Sequence, residues 1–161
     1  MRISFLCSLM TFNFLFINSF CLRSMQSSGR DHLVVLTHGI FGTSKDLSYL
    51  GSKLEQGGFV VLKSKSNEFH RSLAGVNMAA RNIRKEIEDV KLAHRGLSKI
   101  SFVGNSLGGI FARVLLKEIF NTEDKTCLGL IPSLFMVSVC SCVCMEYCCK
   151  IADHKFMQIV S

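Results

Sequence analysis

The chain has 161 residues, 48% of them hydrophobic and only 19% charged, which supplies a core for one domain and excludes a disordered acidic or basic tail. Its formal net charge of +7 comes from 19 Lys and Arg against 12 Asp and Glu. Those cations are scattered and never run five or six together, so they read as a solvated basic surface, and a nucleic-acid partner is not expected.

At the N-terminus, Arg2 is followed by an uncharged run from Ile3 to Leu22, the pattern of a signal peptide or anchor, with no small-x-small cleavage site before Arg23. Translation starting at Met25 would leave that run out. The chain is secretory or membrane-associated if residues 1–22 are native, and cytoplasmic if it starts at Met25; the sequence leaves this open.

From Asp31 to Asn121 short apolar runs alternate with periodic stripes. Leu33–Leu36 is continuously apolar, as expected of a strand buried on both faces. After the loop His38–Thr43, Leu47, Leu50 and Leu54 recur at helical spacing, with Thr43 or Ser44 as the cap and Gly57-Gly58 as the stop. Phe59–Leu62 reads as the second strand. Val76, Ala80, Ile83, Ile87 and Val90 form the apolar stripe of a longer helix, opposite Arg81, Arg84, Lys85 and Glu88. Ile100–Val103 reads as a third strand, and Leu107–Phe120 as a helix apolar nearly all round, which must pack deeply on a sheet. This alternation predicts an α/β fold with a doubly wound, mainly parallel sheet.

Beyond Thr122 the composition changes. Gly129–Met136 could open another strand, and the cysteines then crowd: Cys127, Cys140, Cys142, Cys144, Cys148 and Cys149 fall in the last quarter, against only Cys7 and Cys21 earlier. Such clustering argues against a disulfide framework. No two separated C-x-x-C knuckles occur, so no metal site is assigned. The uncharged run Thr126–Met145 is long enough for a bilayer, despite Pro132, and leaves membrane association open, as would palmitoylation of the cysteines. The chain thus divides into a signal-like or anchor segment (1–30), an α/β portion (31–121) and a divergent Cys-rich tail (122–161), read as non-homologous sequence.

Two motifs carry chemistry. Gly104-Asn105-Ser106-Leu107-Gly108 fits G-x-S-x-G and sits between a predicted strand and a predicted helix, where a nucleophile elbow belongs. Its glycines, Gly104 and Gly108, leave room for a turn that strains the serine backbone. His38-Gly39-Ile40-Phe41-Gly42 follows the first strand directly. An oxyanion hole takes one N–H from the residue after the nucleophile, here Leu107, and one from this loop, here Ile40, with Phe41 as the alternative. His38 and Gly39 read as shaping the loop.

His32–Thr43, the Gly75-Val76-Asn77 helix entry and Ile100–Arg113 together resemble the eukaryotic family of lipase-like serine esterases within the α/β-hydrolases. The resemblance covers Asp31–Asn121. It implies a Ser-Asp-His triad, acyl-lipid or other ester substrates and no cofactor, with Ser106 as nucleophile and Ile40 and Leu107 as oxyanion donors.

After the elbow helix the chain departs from that family's pattern. Only 55 residues follow Ser106, and their one histidine, His154, adjoins Asp153, a spacing unsuited to a triad. Upstream, His32 and His94 belong to the wrong sheet edge, while His38 and His70 follow strands and reach the right one. His70 is the candidate replacement base. The reading is therefore a serine hydrolase fold incomplete at its C-terminal strands and inactive as this chain. The competing reading is a catalytically dead form serving as a membrane-associated or partner-binding module.

Overall fold

The structure, a computed structural model, describes residues 30–138. The signal-like segment and Met25, the cysteines from Cys140 to Cys149 and the Asp153-His154 pair lie outside the described residues.

A continuously apolar strand is stable only where both faces of its sheet are covered. Strand β1 (His32–Thr37) meets that condition, being buried at every residue. It pairs in parallel with β2 (Val60–Lys63) on one side and with β3 (Lys99–Asn105) on the other. β3 in turn pairs in parallel with the strand Ile131–Ser138, here β6, after a register shift between Ile100 and Ser101. The strand order is β2-β1-β3-β6. β6 lies beyond residue 121, yet it extends the same sheet, and Pro132 sits near its start. The described part of the uncharged run is therefore largely strand. Among the described residues no helix is long and apolar enough to cross a membrane.

Helices cover the two faces. A 3₁₀ turn (Ser44–Leu47) runs into α1 (Ser48–Gln56), which places Leu47, Leu50 and Leu54 on the face formed by Val34, Leu36 and Val103. The Thr43 N–H donates to the Asp46 carboxylate at 2.9 Å, which secures the start of that segment. A second 3₁₀ turn (Phe69–Leu73) precedes α2 (Val76–Ala93). Ala79, Ala80, Ile83 and Ile87 of α2 pack on the opposite face with Leu33, Val35, Ile100 and Phe102. The same face takes α3 (Leu107–Ile119) through Phe111, Ala112, Leu115 and Ile119. The architecture is a doubly wound, parallel α/β sheet, as the alternation of runs and stripes predicts.

Two local differences have clear causes. α3 ends at Ile119, and Phe120 belongs instead to β4 (Phe120–Asn121), paired antiparallel with β5 (Thr126–Cys127). This small hairpin is held by side chains that cap its own backbone. Asn121 Oδ1 accepts from the Glu123 N–H at 2.9 Å, and Asp124 Oδ1 from the Thr126 N–H at 3.0 Å. Two-residue strands have no periodicity to read, so only the turn residues could announce them.

At the N-terminal edge of the sheet His32 is 3% exposed, with Nε2 2.8 Å from the Ser101 hydroxyl and its ring edge-on to Phe59. Burial, aided by nearby Lys99 and opposed by Asp31, lowers its pKa. The unfolded chain therefore takes up a proton near the ordinary histidine value of about 6.5 while the folded chain resists it. The His32 contribution to stability is complete above that value and is lost as pH falls through it toward the lower folded value. Thermal midpoints measured from pH 7.5 down to pH 5 should decline, with a shallower decline in His32→Phe. An equal slope in that variant would contradict the assignment.

Candidate active site

The C-terminal edge of a parallel sheet is where loops and helix N-termini converge. β3 ends at Asn105, α3 begins at Leu107, and Ser106 alone makes the turn between them. Its backbone lies at φ 53° and ψ −120°, a region that L-residues avoid and that costs on the order of 1–3 kcal/mol. The Ser106 N–H donates to the Ser138 carbonyl at 2.8 Å, which ties the turn to the end of β6.

Sterics explain the residues around it. A Cβ on Gly104 would lie 2.4 Å from the Cα of Gly109, and one on Gly108 would lie 2.4 Å from the carbonyl oxygens of both Thr37 and His38. The first turn of α3 is thus pressed against the end of β1. Thr37 reinforces the contact by donating its hydroxyl to the Gly108 carbonyl at 2.9 Å. Gly109 is crowded too, since a Cβ there would meet the Val137 side chain of β6 at 2.3 Å.

The loop after β1 closes on the same point. A Cβ on Gly39 would stand 3.3 Å from the Ser106 Cβ, so the residue preceding Ile40 abuts the serine. Gly42 N–H donates to the Gly39 carbonyl at 3.1 Å, closing a four-residue turn with Phe41 at φ 53°. The Phe41 N–H is engaged by the Ser72 hydroxyl oxygen at 3.1 Å. Among the described residues the Ile40 N–H has no acceptor, and the Leu107 N–H, first in its helix, has none within it. Both expected donors are therefore open.

Further bonds lash this loop to the one after β2. The Phe69 N–H donates to the Gly42 carbonyl at 3.1 Å, and the Ser44 N–H to Glu68 Oε1 at 2.7 Å. Hydrogen bonds from the Ser44 hydroxyl and N–H hold the Glu68 carboxyl below its ordinary pKa. Ile40, Phe41, Phe69 and Leu73 stand more than half exposed on these two loops.

The histidines divide as their positions dictate. His38 is buried with Nδ1 3.0 Å from the Gly39 carbonyl oxygen, so Nδ1 carries the proton, and among the described residues Nε2 has no hydrogen-bond partner. His70 is exposed on the 3₁₀ turn after β2, and His94 is exposed at the end of α2. Among the described residues no histidine hydrogen-bonds the Ser106 hydroxyl. The close pair His32–Ser101 is sealed inside the sheet, with Ser101 0% exposed, and is an internal hydrogen bond rather than a nucleophile and base. Cys127 is no competing nucleophile either, because burial pushes its thiol up to about 11. Sequence reading passed over Thr37 and Ser72. Thr37 is a polar residue closing an apolar strand, a recognisable signal, whereas nothing local distinguishes Ser72.

A parallel sheet with helices on both faces, and a serine at positive φ on the turn from strand to helix, defines the α/β-hydrolase fold. Residues 27–149 match the family described as "Putative serine esterase (DUF676)", and the chain belongs to that family. The match runs past residue 121 and takes in β6. Membership supports a hydrolase function in general terms. Among solved structures, an extracellular α/β-hydrolase from a Paenibacillus species is similar at 20% identity and a TM-score of 0.39. That likeness covers 58% of this chain and 36% of the other, so the chain spans well under two-thirds of that protein's length.

Two substitutions test this geometry. Gly108→Ala should destabilise the protein by about 1–3 kcal/mol or more, because the new methyl meets two carbonyl oxygens. Gly96→Ala, with nothing within 4 Å of the added carbon, should leave the thermal midpoint nearly unchanged. Equal melting of the two variants would refute the close approach. Separately, Ser106→Gly should melt higher than Ser106→Ala, since glycine accepts φ 53° without strain.

Proposed function

We propose that this chain carries the nucleophile of a serine esterase acting on carboxylic esters of the acyl-lipid type. The observation that carries the reading is the strained Ser106 turn with the Gly39–Ile40 loop set against it. In this scheme the Ser106 oxygen attacks the ester carbonyl carbon as a base takes its proton. The N–H groups of Leu107 and Ile40 receive the negative charge that develops on the carbonyl oxygen. Collapse expels the alcohol, and water then releases the acid from the acyl-serine. No cofactor enters this chemistry.

Ile40 is preferred to Phe41 as the second donor because the Phe41 N–H is already engaged by Ser72. The apolar side chains exposed on the two loops suit an acyl portion of the substrate better than a charged one. The proton acceptor is the part that the described residues do not place. His70 stands on the loop at the same sheet edge and is the first candidate, and His154 lies outside the described residues.

A serine with open oxyanion donors but an unplaced base keeps a residual reactivity of about 10³–10⁴ over water. Incubating the full chain with a fluorophosphonate should therefore modify Ser106 selectively, if slowly, and Ser106→Ala should abolish the mass shift. Steady-state hydrolysis of a nitrophenyl ester should stay about 10⁴–10⁶-fold below that of a complete triad. Labelling spread over other serines, or retained in Ser106→Ala, would refute the assignment. Rapid hydrolysis lost in both Ser106→Ala and His70→Ala would identify His70 as the base.

A further inference from the structure

The turn that offers the Ile40 N–H is only lightly packed, with Ile40 51% exposed. Phe41, its third residue, adopts φ 53°, a left-handed conformation that a bulky side chain disfavours, and its ring is 58% exposed. Packing alone therefore supplies little of the restraint. Phe69, on the neighbouring loop, is in the same situation at φ 54° and 56% exposed. Two unfavourable backbone conformations on exposed loops persist only where the surrounding structure over-determines them.

One hydroxyl joins both turns. Ser72 is 3% exposed, donates its proton to the Phe69 carbonyl at 2.6 Å, and accepts the Phe41 N–H at 3.1 Å. Committing the proton to Phe69 leaves the oxygen lone pairs for Phe41, so the direction of the second bond is set by the first. The Phe69 N–H returns to the Gly42 carbonyl at 3.1 Å, so the two loops brace each other through a short closed network.

We infer that Ser72 is a positioning residue for the oxyanion turn: it holds the Ile40–Phe41 peptide in its left-handed arrangement and so keeps the Ile40 N–H available beside Ser106. The inference rests on the esterase reading of Ser106. Without the hydroxyl, Phe41 is free to return to negative φ, and the turn swings away from the serine. A displacement of about 1 Å at a reacting centre costs on the order of a hundredfold in rate. Ser72 need not touch the substrate to have this effect.

The experiment compares phosphonylation of Ser106 by a fluorophosphonate in the full chain carrying Ser72, Ser72→Ala, Ser72→Thr or Ser72→Cys. Ser72→Ala should lower the maximal labelling rate about tenfold or more with the half-saturating reagent concentration little changed, and Ser72→Thr should restore most of it. Hydrogen exchange at the Phe41 amide should quicken in Ser72→Ala and recover in Ser72→Thr. Ser72→Cys keeps the volume while weakening the acceptor; it should fall between, and it carries the comparison if Ser72→Ala loses its cooperative thermal transition. Labelling at the unchanged rate in Ser72→Ala or Ser72→Cys, with Ser106 still the modified residue, would overturn the role of Ser72 and leave the esterase reading standing. Absence of Ser106-specific labelling in the unsubstituted chain would overturn the esterase reading, and this inference with it.

Discussion

Everything at the candidate site depends on how closely the first turn of α3 can approach the end of β1. Gly108 lies so near the Thr37 and His38 carbonyls that no side chain fits between them, and the Thr37 hydroxyl turns this proximity into a hydrogen bond. Carbonyl oxygens packed against a helix start are well placed electrostatically, since the free N–H groups there carry partial positive charge. The approach fixes the direction of α3. It also brings the β1 loop, which continues from His38, up against Ser106.

The strain that results is concentrated. Of the five non-glycine residues with positive φ among those described, Phe41, Phe69 and Ser106 stand on the three segments that build the site. The other two, Lys125 and Leu128, belong to the small hairpin region after α3. Left-handed conformations at Phe and Ser are unfavourable in isolation, so each needs a surrounding that outweighs it. For Ser106 that surrounding is the rigid sheet, through β3, α3 and the bond to Ser138. For Phe41 and Phe69 it is a network of polar contacts between loops, which is a softer restraint.

Several buried polar groups find their partners in the backbone or in one another. Thr37 and Ser72 both cap backbone carbonyls, and His32 and Ser101 satisfy each other across neighbouring strands. Among the described residues, His38 Nε2, Ser64 Oγ, Ser66 Oγ and Glu86 Oε2 are buried without a hydrogen-bond partner.

Much of this fold was legible in the chain. Continuous apolar runs such as Leu33–Leu36 admit only a strand covered on both faces, and the stripe through Ala80, Ile83 and Ile87 admits only one helix face turned inward. The same local logic located Ser106, because glycines flanking a serine between a strand and a helix have few other uses. What local pattern could not supply was anything fixed by contacts between residues distant in sequence. Ser72 lies 31 positions from Phe41, and Thr37 lies 71 from Gly108. Thr37 stands out as a polar end to an apolar strand but does not announce its partner, and nothing in its own segment marks Ser72. The hairpin Phe120–Cys127 escaped for a related reason, since strands of two residues are shorter than any period. Sequence alone therefore determined the principal strands and helices from His32 to Ile119 and which serine stands on the turn. The tertiary structure decided which N–H groups remain open beside that serine, because this depends on loops meeting in space and on which donors each meeting consumes.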